Sequence, residues 1–157
     1  MVSTGHNFVQ RGGLWVTGQC LLLCAVIGGG LLCRGQWHNL WLTLCGAGLL
    51  LIASSCGLAG TVSLGRNLTP FPRPSAGSRL VRTGIYGLIR HPLYTAVCCG
   101  SLGWALVWGS WPALLASLVL APLLDGKARR EEYWLRQQFP EYSSYEQQVR
   151  RFVPWLY

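Results

Sequence analysis

The chain has 157 residues, one domain's worth; 51% are hydrophobic and 11% charged, against roughly 25% charged in a soluble protein. Its formal charge of +8 comes from basic residues that flank apolar runs rather than alternating with aromatics in a polar background. That pattern speaks against nucleic acid as a partner and for a lipid bilayer with a basic cytoplasmic face. Cys20, Cys24, Cys33, Cys45, Cys56, Cys98 and Cys99 sit in or beside apolar runs without paired C-x-x-C spacing, so they read as small apolar helix residues and no metal site is expected.

In chain order, the first apolar run spans about 14–33 and the second about 40–60, each near the roughly 20 residues that cross a bilayer. The first exceeds a signal-peptide core and lacks an A-x-A-like cleavage site, so it reads as a retained span. A connector over 61–92 follows, with Pro70, Pro72, Pro74 and five arginines. Its alternate prolines exclude a regular helix from Pro70 to Ser78. Pro92 suits the first turn of a third span over 93–108. Gly109 to Pro112 reads as a tight turn into a fourth span over 112–124, with a kink at Pro122. The tail over 125–157 is expected to continue the fourth helix out of the membrane to about Phe139. The expected fold is therefore an all-α, polytopic membrane domain of four spans over 1–157, with a cytoplasmic tail that completes the site.

Orientation follows from the arginines and lysines. Four spans put Arg11, the connector arginines (Arg66, Arg73, Arg79, Arg82, Arg90) and the tail cations from Lys127 to Arg151 on one side, and Arg34 alone on the other. Both termini are then cytoplasmic.

Two polar clusters bracket the charge-free stretch from Leu93 to Leu124: Arg90-His91-Pro92-Leu93-Tyr94, and Arg130-Glu131-Glu132. A hairpin brings its ends together, so both clusters face one membrane surface, where they suit a small zwitterion. Taken singly, each residue has a plain reading. Lys127 and Glu131 form an i,i+4 pair of solvated charges, His91 opens a helix, and Arg90 snorkels. Adjacent acids on a helix diverge by about 100°, so one of Glu131 and Glu132 can face a pocket while the other meets a basic neighbour.

The run Gly84-Ile85-Tyr86-Gly87-Leu88-Ile89-Arg90-His91-Pro92-Leu93-Tyr94 resembles the G-x-Y-x-x-[VI]-R-H-P-x-Y signature of the isoprenylcysteine carboxyl methyltransferase family, whose core the membrane phospholipid methyltransferases share. Glu131-Glu132, Leu135, Phe139, Tyr142 and Tyr145, with Val149, Arg151 and Pro154 beyond, resemble that family's tail. Ala96 stands where the family often has glycine. The resemblance covers Leu64 to Tyr157 and implies an S-adenosyl-L-methionine-dependent methyltransferase of bacterial type in the inner membrane. It implies Arg90, His91 and Glu132 as catalytic residues. Gly84, Tyr86, Arg90, His91, Pro92, Tyr94, Glu131 and Glu132 would bind the cofactor, with Arg90 and His91 on its carboxylate and a glutamate on its ammonium or ribose diol. Asn67, Thr69 and Pro70 are expected at the lip for a lipophilic or lipid-modified acceptor. The acceptor atom (O, N or S), the use of a general base and the oligomeric state stay open. Two rivals of other classes are a non-catalytic basic membrane scaffold and a small four-helix transporter. The transporter is disfavoured because no apolar run holds an ionisable residue at mid-membrane.

Overall fold

A computed structural model describes residues 8–9, 11–73 and 77–157. Pro74 of the expected connector and residues 1–7 of the N-terminal segment lie outside the described residues. Among the described residues five α-helices follow one another: α1 (Gly13–Leu32), α2 (Leu40–Leu64), α3 (Pro92–Trp108), α4 (Trp111–Gln138) and α5 (Tyr142–Gln148). Short 3₁₀ turns occupy Gly65–Asn67 and Gly84–Gly87.

By length and composition, α1 and α2 can each cross a membrane, and α3 is a shorter apolar helix of 17 residues. Little of α1 or α2 is buried within the protein. Leu21, Leu51, Leu58 and Val62 stand well exposed on their outer faces. A core helix of a water-soluble domain would bury such side chains, whereas hydrocarbon accepts them without cost. α2 runs past the expected end at Gly60 because Thr61, Val62, Ser63 and Leu64 continue the apolar helix. α4 passes unbroken through Pro122 to Gln138, so the last apolar run and the expected tail helix are one element.

α3 is the hub: α2 lies along it, α4 packs antiparallel to it across the turn, and α1 touches both α3 and α4. The α2–α3 contact depends on two facing glycines. A Cβ on Gly103 would sit 2.7 Å from the Gly46 carbonyl oxygen, and one on Gly46 would sit 2.9 Å from the Gly103 oxygen. Small residues let helix backbones approach this closely, which replaces the hydrophobic drive that lipid does not supply.

The turn away from the charged end is closed by hydrogen bonds. Gly109, at φ +60°, caps α3 through its N–H to Ala105 and Leu106. Ser110 accepts from the Ala113 N–H and donates to the Gly29 carbonyl of α1 at 2.8 Å. Gln36 accepts from the Trp111 N–H at 2.7 Å. The register of α4 against α3 is set here.

Gly103→Leu is expected to lower stability in detergent by about 1–3 kcal/mol, the usual effect of overpacking, read as a fall in thermal midpoint. An unchanged midpoint would show that the α2–α3 crossing does not need the glycine pair.

Candidate active site

Helix lengths bring the two polar clusters together. At 1.5 Å per residue, the 17 residues of α3 rise about 26 Å, while Glu132 lies about 32 Å along α4 from Trp111. The acids of α4 therefore overshoot the start of α3 by about a turn and meet Arg90 and His91, which precede it.

The bend ahead of α3 is built from the 3₁₀ turn at Gly84–Gly87, where Gly84 adopts φ +62°. The tail then returns beside it. Ile89 and Arg150 form a parallel bridge. The N–H of Arg90 donates to the Arg150 carbonyl at 2.8 Å, and that of His91 to the Arg151 carbonyl at 3.0 Å. Tyr145 donates to the Tyr86 carbonyl at 2.5 Å, and Thr95 to the Phe152 carbonyl at 3.0 Å. The tail thus straps the signature segment from Tyr86 to Thr95.

Glu132, 1% exposed, lies at the centre of this assembly. Its Oε1 accepts from Arg90 Nη2 at 2.9 Å, Arg90 Nε at 3.2 Å, Arg151 Nε at 2.9 Å and His91 Nε2 at 3.2 Å, and its Oε2 accepts from Arg151 Nη2 at 2.8 Å. Burial opposes ionisation of Glu132, but the hydrogen bonds from His91 and Arg151 and the charge of Arg90 outweigh it and hold the carboxyl well below its ordinary 4.5. Arg90 Nη1 donates to the carbonyls of Glu146 (2.7 Å) and Val149 (2.6 Å), so all three of its guanidinium nitrogens are engaged within the protein. Arg151 also reaches Asp125 at 3.0 Å and the Tyr157 hydroxyl at 3.1 Å.

Glu131 points elsewhere. Its Oε2 accepts from the Tyr94 hydroxyl at 2.6 Å and lies 4.0 Å from His91 Nδ1. The Tyr94 and His91 rings stack in parallel with centroids 5.2 Å apart. Glu131, Tyr94, His91, Arg90 and Tyr86 all line a cleft that is open to solvent. Leu64, Phe71, Leu80, Leu93 and Leu135 supply apolar surface to the same cleft. Tyr142 also lines it, and its buried hydroxyl has no hydrogen-bond partner among the described residues. Burial pushes the Tyr142 phenol well above its ordinary value, so it is a neutral O–H donor awaiting an acceptor.

Of the expected site residues, Asn67, Thr69, Tyr86, Arg90, His91, Tyr94 and Glu131 line the cleft. Glu132 stands behind the wall, and Gly84, Pro92 and Pro70 are not on it. Asn67 clasps the connector by donating to the Arg79 carbonyl at 3.2 Å and accepting from the Arg79 N–H at 3.4 Å. Thr69 Oγ1 accepts from the Phe71 N–H at 3.3 Å. The expectation of a solvated Lys127–Glu131 pair is corrected: Lys127 is 2% exposed and packs between α1 and α3. Sequence reasoning gave no task to Arg151 or Tyr142, although both belong to the tail pattern. The one available signal was their place in that pattern.

The chain matches the phospholipid methyltransferase family over residues 41–142. It belongs to that family. The match agrees with the resemblance carried by the two motifs. The chain is also 29% identical over 151 residues to the nickel-cobalt-cadmium resistance protein NccN of Alcaligenes xylosoxydans xylosoxydans, covering 94% of this chain and 66% of that protein. It is 30% identical over 155 residues to the cobalt-zinc-cadmium resistance protein CzcN of Cupriavidus metallidurans, covering 96% of this chain and 67% of that one. The chain thus spans about two thirds of the length of these relatives. Among the described residues, no group of three or more His, Cys, Asp or Glu side chains is arranged to hold a metal ion.

Members of this methyltransferase family generally use S-adenosylmethionine. The cleft lining fits that group: it offers a carboxylate that no arginine bonds among the described residues, aromatic rings and apolar surface.

The depressed ionisation of Glu132 makes a pH prediction. Its carboxylate stabilises the fold fully above the unfolded-state value near 4.5, and that contribution is lost as pH falls below it. The thermal midpoint is expected to be level near neutrality and to drop below about pH 4.5. Glu132→Gln should remove about 3–5 kcal/mol at neutral pH and flatten the acid limb. A midpoint that rises on acidification would contradict this assignment.

Proposed function

We propose that the protein transfers a methyl group from S-adenosylmethionine to a lipophilic acceptor at the cytoplasmic face of a bacterial inner membrane, with α1 to α4 as four spans and both termini in the cytoplasm. The carrying observation is the division of labour between the two acids. Glu132 absorbs Arg90, His91 and Arg151, which leaves Glu131 on the cleft wall with only a tyrosine hydroxyl donating to it among the described residues.

Glu131 would accept from the cofactor's ammonium or ribose hydroxyls, and the buried Tyr142 hydroxyl would donate to an acceptor atom of the same molecule. Tyr94 and Tyr86 offer aromatic surface to the adenine or to the positive sulfur. Arg90 and Glu132 we read as positioning residues, because their polar atoms are committed to each other and to the tail. Their effect is to fix His91. With Nε2–H directed at the Glu132 carboxylate, the other ring nitrogen is oriented toward Glu131 and the cleft. When bound, the cofactor supplies an already activated methyl group, so the protein's task is alignment and exclusion of water. An amine, phenol or thiol acceptor must lose a proton, and His91 is the nearest group to take it. A carboxylate acceptor needs no base.

The apolar side of the cleft, from Leu64, Phe71 and Leu80 to Leu93, would receive the acceptor's hydrocarbon part. The names of the two relatives add a place to look for it. Lipid extracts from cells grown with and without cobalt, incubated with isotopically labelled methyl donor, should show label in a lipid-soluble product.

Binding of S-adenosylmethionine to detergent-purified protein tests the reading. Glu131→Gln is expected to weaken it by at least about tenfold, the loss of one charge-assisted contact. Tyr142→Phe should weaken binding by about threefold while leaving the thermal midpoint of the ligand-free protein level. Folded protein that does not bind at millimolar ligand, or binding indifferent to Glu131→Gln, would overturn the proposal.

A further inference from the structure

Lys127 is the buried titratable group that the reading above leaves without a task. It is 2% exposed. Its ammonium donates to Gln19 Oε1 of α1 at 2.6 Å and lies 5.1 Å from the centroid of the Tyr94 ring. Its other ionisable neighbours are Glu131, one turn along α4, and Cys20 of α1. Among the described residues no carboxylate reaches it as an ion pair.

A lysine held this deeply by one neutral acceptor is unfavourable for packing alone. A methionine would join α1 to α4 without desolvating a charge. What the charge does accomplish is local to the cleft. The ring it lies against carries the hydroxyl that donates to Glu131 at 2.6 Å. Arg90 and Arg151 are turned toward Glu132, while Lys127 lies one helical turn from Glu131 on α4. The tether also brings in α1, which precedes the segment matched to the family at residues 41–142.

We propose that Lys127 is a positioning residue. Its buried ammonium, anchored to α1 through Gln19, holds the Tyr94 ring and, through the Tyr94 hydroxyl, the orientation of Glu131 on the cleft wall. α1 is thereby part of the binding site's support and not only a membrane anchor. The inference rests on the methyl-transfer reading, under which Glu131 contacts the cofactor.

The test is titration of the detergent-purified full chain with S-adenosylhomocysteine, with the thermal midpoint recorded on the same samples. Lys127→Met should fold with a midpoint no lower than that of the unaltered protein, yet bind about tenfold more weakly. Lys127→Arg, which keeps the charge, should stay within about threefold, and Gln19→Leu should fall between them. Unchanged affinity in folded Lys127→Met overturns the proposal, and so does weakened affinity that Lys127→Arg fails to restore. If Lys127→Met does not fold, unchanged affinity in Gln19→Leu overturns it. Failure of the unaltered protein to bind the ligand overturns the methyl-transfer reading itself, a result visible before any variant is compared.

Discussion

One buried carboxylate organises the charged end of this protein. Glu132 gathers Arg90 and His91 from the segment before α3 and Arg151 from the tail, so two stretches distant in sequence converge on its two oxygen atoms. Burying an isolated carboxylate is strongly unfavourable, and such an arrangement persists only when several well-aligned donors satisfy it. Here five hydrogen bonds do so. The strap of backbone hydrogen bonds between Arg90–His91 and Arg150–Arg151 keeps both arginines in register with it.

The neighbouring acid gains its character from that saturation. Had the arginines been shared, Glu131 would be one more member of a salt-bridge network. Instead it faces a cleft that is also lined by Tyr142, whose buried hydroxyl has no partner among the described residues. The same cleft runs from these polar groups to leucine side chains of α2 and α3. Under the proposed methyl transfer, that lining would receive a polar nucleoside at one end and a hydrocarbon chain at the other.

The hairpin and the meeting of its two polar ends were legible in the sequence, because charge-free length and the Pro92 and Gly109 to Pro112 boundaries define them. So was the divergence of Glu131 and Glu132, which helix geometry alone requires. Which acid faced the cleft was not legible, since a helix's rotation is set by its packing; here Ser110, Gln36 and the α1 contact fix it. Arg151 escaped notice as a partner because it lies in an irregular tail, where no period links it to Glu132. Lys127 looked like half of a surface pair, and only the position of α1 shows it to be enclosed. The helix continues past Gly60, where the second apolar run was expected to end, and the glycine's lack of a side chain serves close contact with Leu93.

The most direct measurement is an experimental structure of the protein with S-adenosylhomocysteine bound. The account predicts the ligand in the cleft with Glu131 and Tyr142 at its polar atoms, while Glu132 keeps Arg90, His91 and Arg151. A ligand held by Glu132 instead, or one seated away from this cleft, would contradict it.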